Sequence, residues 1–134
     1  MHRAEASIDV AADAADVFAR WARFEAYPEF MDGIAAVERE GDDLRWTATV
    51  DGREVRWQAR VVEESPPTRI AWSSVDGDER GGGLVLVSSV GTARSRVQVA
   101  IDWADDEQVR RSLQRFRELV EAGPTPERAT TGYG

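Results

Sequence analysis

The chain has 134 residues, a formal net charge of −8, one histidine and no cysteine. That length predicts one domain burying about 68% of its unfolded surface, enough for a core without staples. The missing cysteines exclude disulfides, thiolate metal sites and cysteine nucleophiles. The acidic balance argues against nucleic acid and anionic membranes, both of which reward a basic face.

Apolar runs fall well short of the ~20 residues that span a bilayer, and Asp9, Asp13 and Asp16 spoil any signal-peptide pattern near the N-terminus. The expected compartment is the cytoplasm. All 17 positive side chains are arginine, and with the abundant alanine and glycine this points to a GC-rich bacterial genome.

In chain order, His2 to Val10 alternates, with Ala4, Ala6, Ile8 and Val10 on one face, and reads as a strand. Asp13 is placed as a helix N-cap with Asp16 in the first turn, where the macrodipole favours a carboxylate. Val17, Phe18, Trp21 and Ala22 then lie at helical spacing through about Arg23, and Tyr27-Pro28 is expected to break the helix before a short turn at Glu29 to Met31. Gly33 ends that turn. Ile34 to Glu40 is the next strand.

Leu44 to Val62 reads as a hairpin around the turn signal Asp51-Gly52. Pairing outward sets Val50 opposite Arg53, Ala48 opposite Val55, Trp46 opposite Trp57 and Leu44 opposite Ala59, apolar on both strands after the first pair. The intervening pairs are Thr49 with Glu54, Thr47 with Arg56, Arg45 with Gln58 and Asp43 with Arg60, polar throughout. A slip of one residue would destroy both patterns. The sheet therefore has one dry face, carrying a tryptophan pair, and one wet face.

Pro66-Pro67 stops the ladder, and Arg69 to Val75 resumes it with Ile70, Trp72 and Ser74 on one face. The turn Asp76-Gly77-Asp78 follows. Gly81-Gly82-Gly83 lacks the lysine and helix of a phosphate-binding loop and reads as a flexible lead into Leu84 to Val90, which is apolar on both faces. Arg94 to Trp103 places Val97, Val99, Ile101 and Trp103 inward, completing seven strands. From about Asp105 to Glu121, Val109, Leu113, Phe116 and Val120 form one stripe of an amphipathic helix roughly 25 Å long. Residues 1–123 are expected to form the domain, and residues 124–134 a loose tail.

Trp21 followed by Phe24-Glu25-Ala26-Tyr27-Pro28-Glu29-Phe30-Met31, then Leu44-Arg45-Trp46, Trp57-Gln58-Ala59 and Pro67-Thr68-Arg69-Ile70-Ala71-Trp72, resemble in order and spacing the START-related helix-grip superfamily. Within it the likeness is to bacterial polyketide cyclase/dehydrase-like proteins, over roughly Ile8 to Val120. The resemblance implies an α+β helix-grip fold, in which a seven-stranded curved antiparallel sheet wraps a long C-terminal helix and two short helices follow the first strand. It also implies an elongated apolar cavity, used by relatives for polyketide intermediates, sterols, lipids, plant hormones or quinones. The lead from Trp103 to Asp106 is shorter than in many relatives. One end of the cavity is then a ligand mouth, or is filled by the tail, or is covered by a second copy of the chain.

Trp46, Trp57 and Trp72 are expected on the concave side beside Ser74, Val99 and Ile101, with Leu113 and Phe116 approaching from the last helix. Tyr27 and Phe30 come from the segment after the first helix, and the group would line a pocket for a flat hydrophobic ligand. Trp21 and Trp103 read as plain core. No catalytic role can be assigned. His2 sits at the terminus, no Ser-His-Asp set can be assembled, and no metal or cofactor is implied. Asp42-Asp43, Glu63-Glu64 and Asp105-Asp106 read as turn or cap residues. The polar groups placed inward are Ser74, Ser88 and Arg53, the last more naturally exposed beside its turn, with Tyr27, Glu29 and Asp32 near a mouth. These observations predict a ligand-binding protein, with a polyketide cyclase or dehydratase and a ligand-free, dimeric interaction module as alternatives.

Overall fold

A turn with positive φ at both central residues, Asp51 (51°) and Gly52 (77°), joins two strands whose right-handed twist it matches, and it sets the register of that pair. The computed structural model describes residues 4–75, 81–102 and 104–122. Strands β1 (Ala4–Val10), β2 (Ile34–Glu40), β3 (Asp43–Val50), β4 (Arg53–Ser65), β5 (Arg69–Ser74), β6 (Gly83–Gly91) and β7 (Arg94–Ile101) form one antiparallel sheet in the order β1-β7-β6-β5-β4-β3-β2. Helix α1 (Ala14–Ala22) and a 3-10 helix (Phe24–Glu29) follow β1, and α2 (Asp106–Ala122) closes the domain. His2, Trp103, the turn at 76–78 and the tail at 124–134 lie outside the described residues.

The eight β3–β4 pairs are those expected, from Val50 with Arg53 to Asp43 with Arg60. The wet face is stitched by ion pairs, among them Arg60 to Asp43 at 2.9 Å and Arg96 to Asp9 at 2.8 Å. The dry face is concave and covered by helices. α2 packs on β1, the 3-10 helix packs on β2, and α1 lies against β5, β6 and β7. The two helical covers are thus carried by opposite edges of the sheet.

α2 lies along β1 and is held at both ends. The Glu5 N–H donates to Asp106 Oδ1 (3.1 Å) and the Ala11 N–H to Glu121 Oε2 (3.0 Å). Its start is a capping box, in which Asp105 Oδ1 accepts from the Gln108 N–H (2.8 Å) and Gln108 Oε1 from the Asp105 N–H (3.3 Å).

Three local expectations are corrected. Asp13 occupies the N-cap position of α1 with extended backbone, but its side chain makes no capping bond. α1 ends at Ala22 with Arg23 as its C-cap, as expected, but Tyr27-Pro28 is no break: both lie inside the 3-10 helix, which runs over Phe24–Glu29 and not from Glu29 to Met31. Phe24, Tyr27 and Phe30 are all buried at a spacing of three, the spacing that a 3-10 helix eclipses, so burial of the rings selects it. Gly81-Gly82-Gly83 is no loose lead: all three residues are buried, with Gly81 against Ser74 and Gly83 against the Trp72 ring.

Candidate functional site: a ring-lined interior beneath the last helix

The concave face brings the predicted rings together. Trp46 and Trp57, directly opposite on β3 and β4, stack at 5.9 Å between centroids with 6° between planes. Trp72 extends the stack from β5, 5.6 Å from Trp46. From the helical side, Tyr27 meets Trp46 at 5.8 Å and Trp72 at 6.3 Å, and Phe30 meets Phe116 of α2 at 5.1 Å. Val99, Ile101 and Leu113 are buried in the same core, and Ser74 is half-buried at its margin.

Two rings outside the predicted set pack into the same cluster. Trp21, expected as plain core, lies 5.3 Å from Tyr27, 5.0 Å from Phe30 and 4.9 Å from Phe116, at the centre of the cluster. Phe24 touches Trp46 and Trp72 edge-on, and the Arg39 guanidinium sits 5.6 Å over its ring. Arg39 also pairs with Glu64 at 2.9 Å and Asp42 at 3.5 Å, so an ion-paired cation closes that end of the interior. The alternation Val37, Arg39 along β2 puts Arg39 on the inward side of the strand, but it does not show its partner.

The interior is poor in groups for proton transfer. Tyr27 is not at a mouth; it is fully buried, and its hydroxyl donates to the Trp21 carbonyl at 2.7 Å. Burial pushes its phenol well above the ordinary range, which keeps it a neutral donor already in use. Ser88 is exposed on the convex face, where it pairs with Arg96, because Val85 and Val87 are the inward residues of β6. Arg53 is exposed beside its turn. The indole N–H groups of Trp21 and Trp72 are buried and meet no hydrogen-bond acceptor among the described residues.

Between the helical covers runs a seam. At one end the Asp32 N–H donates to Ser112 Oγ (2.8 Å), Ser112 Oγ donates to the Gln108 carbonyl (2.8 Å), and Arg111 pairs with Asp32 (2.7 Å). Towards the C-terminal half of α2 the seam widens into a cleft of about 50 Å³ floored by Phe30 and Phe116. Glu29 is on its rim, whereas Asp32 is taken up in the fastening.

A curled antiparallel sheet with an aromatic concave face gripped around a C-terminal helix is the helix-grip architecture of START-related proteins. Residues 10–117 match the family described as polyketide cyclase / dehydrase and lipid transport, and the chain belongs to it. It is 26% identical over 136 residues to an uncharacterized 17.2 kDa protein from the melC2-rnhH intergenic region of Streptomyces lincolnensis, covering 90% of this chain and 91% of that one. Among solved structures it is similar to DR_A0006 from Deinococcus radiodurans, with a TM-score of 0.81 and 25% identity over 92% of this chain and 99% of that one. The fold also matches the Zhui aromatase/cyclase from Streptomyces sp. R1128, with a TM-score of 0.63 and 18% identity over 94% of this chain and 88% of that one. No helix among the described residues is long and apolar enough to cross a membrane.

Proposed function

We propose that this chain is a bacterial cytoplasmic protein that binds a small hydrophobic molecule, aromatic or polyketide-like, between the curled sheet and α2. Trp46, Trp57, Trp72, Tyr27, Phe30 and Phe116 supply the apolar walls, with Val99, Ile101, Leu113 and Ser74 around them. The observation that carries this reading is a pair of buried indole donors without acceptors among the described residues, that of Trp21 amid the rings of Tyr27, Phe30 and Phe116 and that of Trp72 at the edge by Gly83. A buried donor left unmet costs about 1–3 kcal/mol, and a ligand carbonyl recovers it. Flat apolar surface combined with N–H donors suits a ring or chain bearing ketone oxygens. Membership of the polyketide cyclase / dehydrase family supports the same ligand class.

Ligand pockets usually enclose about 300–1,000 Å³. The seam cleft holds about 50 Å³, so binding on this reading requires the rings to part. Binding is favoured over catalysis because Tyr27 is committed to a backbone carbonyl and Ser88 and Arg53 face away from the interior.

Native mass spectrometry of the purified protein, with organic extraction of co-purifying material, tests the reading. A bound small molecule whose titration back into stripped protein quenches tryptophan emission supports it. Protein that carries nothing, and whose emission does not respond to a panel of aromatic and polyketide-like compounds, overturns it. A homodimer in the same spectra would then favour an interaction module with a filled core.

A further inference from the structure

We infer that the seam between α2 and the 3-10 helix is the mouth of the interior, and that it selects a small amphipathic anion: an aromatic or acyl body carrying a carboxylate held by Arg20 and Arg23. This rests on the ligand-binding reading above and adds the route and the chemical class.

The location follows from how the covers are attached. α2 is clamped to β1 at Glu5 and at Ala11, and the 3-10 helix is carried by β2 at the other edge of the sheet. Across the seam the polar ties among the described residues are those of Ser112 and Arg111 to Asp32, and beyond them the contact is the packing of Phe30 on Phe116. Beyond that fastening, Leu119 comes three residues after buried Phe116 on the apolar side of α2, yet is 38% exposed beside the cleft. Phe116 lines the cleft and packs on Trp21, so it is the first ring that a ligand entering from the cleft has to displace.

The ligand class follows from the rim. Arg20 is half-buried and Arg23 exposed, and neither has a carboxylate at ion-pair distance among the described residues. Arg53, Arg94, Arg110 and Arg115 also lack such a partner among the described residues, but Arg20 and Arg23 are the two such arginines that line the cleft. Glu29 is the one carboxylate lining the cleft among the described residues, which leaves the rim net positive on a chain of net charge −8. A purely polar anion gains nothing from the ring floor, and a neutral hydrophobe leaves both guanidinium groups unused. An anion with an apolar body uses both, and planar guanidinium forks suit a carboxylate.

Two fluorescent probes that share their rings test this: anilinonaphthalene sulfonate, which is anionic, and phenylnaphthylamine, which lacks the sulfonate. At low salt the wild-type protein should bind the sulfonate about tenfold more tightly, the scale of one charge-assisted hydrogen bond. Arg20→Gln/Arg23→Gln should abolish that preference and leave phenylnaphthylamine affinity unchanged, whereas Arg110→Gln/Arg115→Gln, elsewhere on α2, should preserve it. Leu119→Glu should weaken the sulfonate selectively. Equal affinities in the wild type, a preference that survives Arg20→Gln/Arg23→Gln, or one lost equally in the control pair would each overturn the mouth while leaving the ligand-binding reading standing. Failure of both probes to bind the wild type would overturn both.

Discussion

Gly83 has no side chain because the Trp72 ring stands where its Cβ would be. The two residues are directly opposite on β6 and β5, and a Cβ built on Gly83 would fall against Cζ2, Cε2 and Nε1 of the indole. Gly83→Ala therefore forces Trp72 out of its position in the ring stack. Overpacking of this kind costs about 1–3 kcal/mol, and here the displaced group is a buried tryptophan with packed neighbours. Urea denaturation should show a lower midpoint, accompanied by altered near-ultraviolet circular dichroism from Trp72. A variant with wild-type stability and spectrum would mean that the indole has room to move, and so would show the interior to be softer than its packing indicates.

The stacked Trp46–Trp57 pair should contribute beyond the area it buries. A double-mutant cycle with Trp46→Leu and Trp57→Leu, followed by denaturation, is expected to give a coupling of about 0.5–1.5 kcal/mol. Zero coupling would reduce the pair to independent burial. The truncation Trp46→Ala goes further, costing about 3–5 kcal/mol for a buried ring, so its effect on ligand affinity must be read on the folded fraction.

That pair is legible in the amino-acid sequence because two patterns of period two and a turn dipeptide constrain a single register, and a slip would violate all three at once. The concave position of Trp72 and the stripe of Leu113 and Phe116 follow from the same alternation and from helical spacing. The central place of Trp21 is not legible, because periodicity says that a residue is buried and does not say what it is buried against. Arg39 is hidden for a related reason: its contact with Glu64 joins β2 to β4 across the intervening β3, a separation no local pattern encodes. The Trp72–Gly83 fit depends on how β5 and β6 pair, a relation between strands that no local pattern encodes, so the glycines read locally as slack although packing requires them.

Ser112 is a polar residue on the buried side of α2, and its position has a reason. Its hydroxyl accepts from the Asp32 N–H and donates to the Gln108 carbonyl, tying the chain after the 3-10 helix to the last helix. Ser112→Ala leaves the partly buried Asp32 N–H without that acceptor, at a cost of about 1–3 kcal/mol. Local loosening should exceed global loss, because the fastening spans the seam and leaves the sheet intact. Hydrogen exchange should therefore accelerate at Asp32 and along the first turns of α2, with little change in β3 and β4. Uniform acceleration across the sheet would mean that this hydroxyl supports the whole domain and is no local clasp.

The convex face makes stability depend on pH in a direction that can be worked out. Asp9 on β1 receives two hydrogen bonds from Arg96 on β7, at 2.8 and 3.2 Å, and this pairing holds its carboxyl below the ordinary carboxylate range. Glu63 is held low in the same way by hydrogen bonds from Arg69 and Ser65. A carboxyl with a lower pKa folded than unfolded binds fewer protons in the native state. Its contribution is thus complete above the unfolded pKa, about 4, and is lost as pH falls through the folded value. Stability should drop on acidification through that window, and the drop should be shallower in Asp9→Asn and in Glu63→Gln. Both variants should be less stable than wild type at neutral pH, since the charged pair is gone, and should converge on the wild type at low pH, where its carboxyls are neutral too. Because both pairs are solvent-exposed, added salt should narrow the neutral-pH gap. Denaturation midpoints measured across the acid range at two salt concentrations check all of this, and parallel curves that never converge would place the acid sensitivity in other carboxylates.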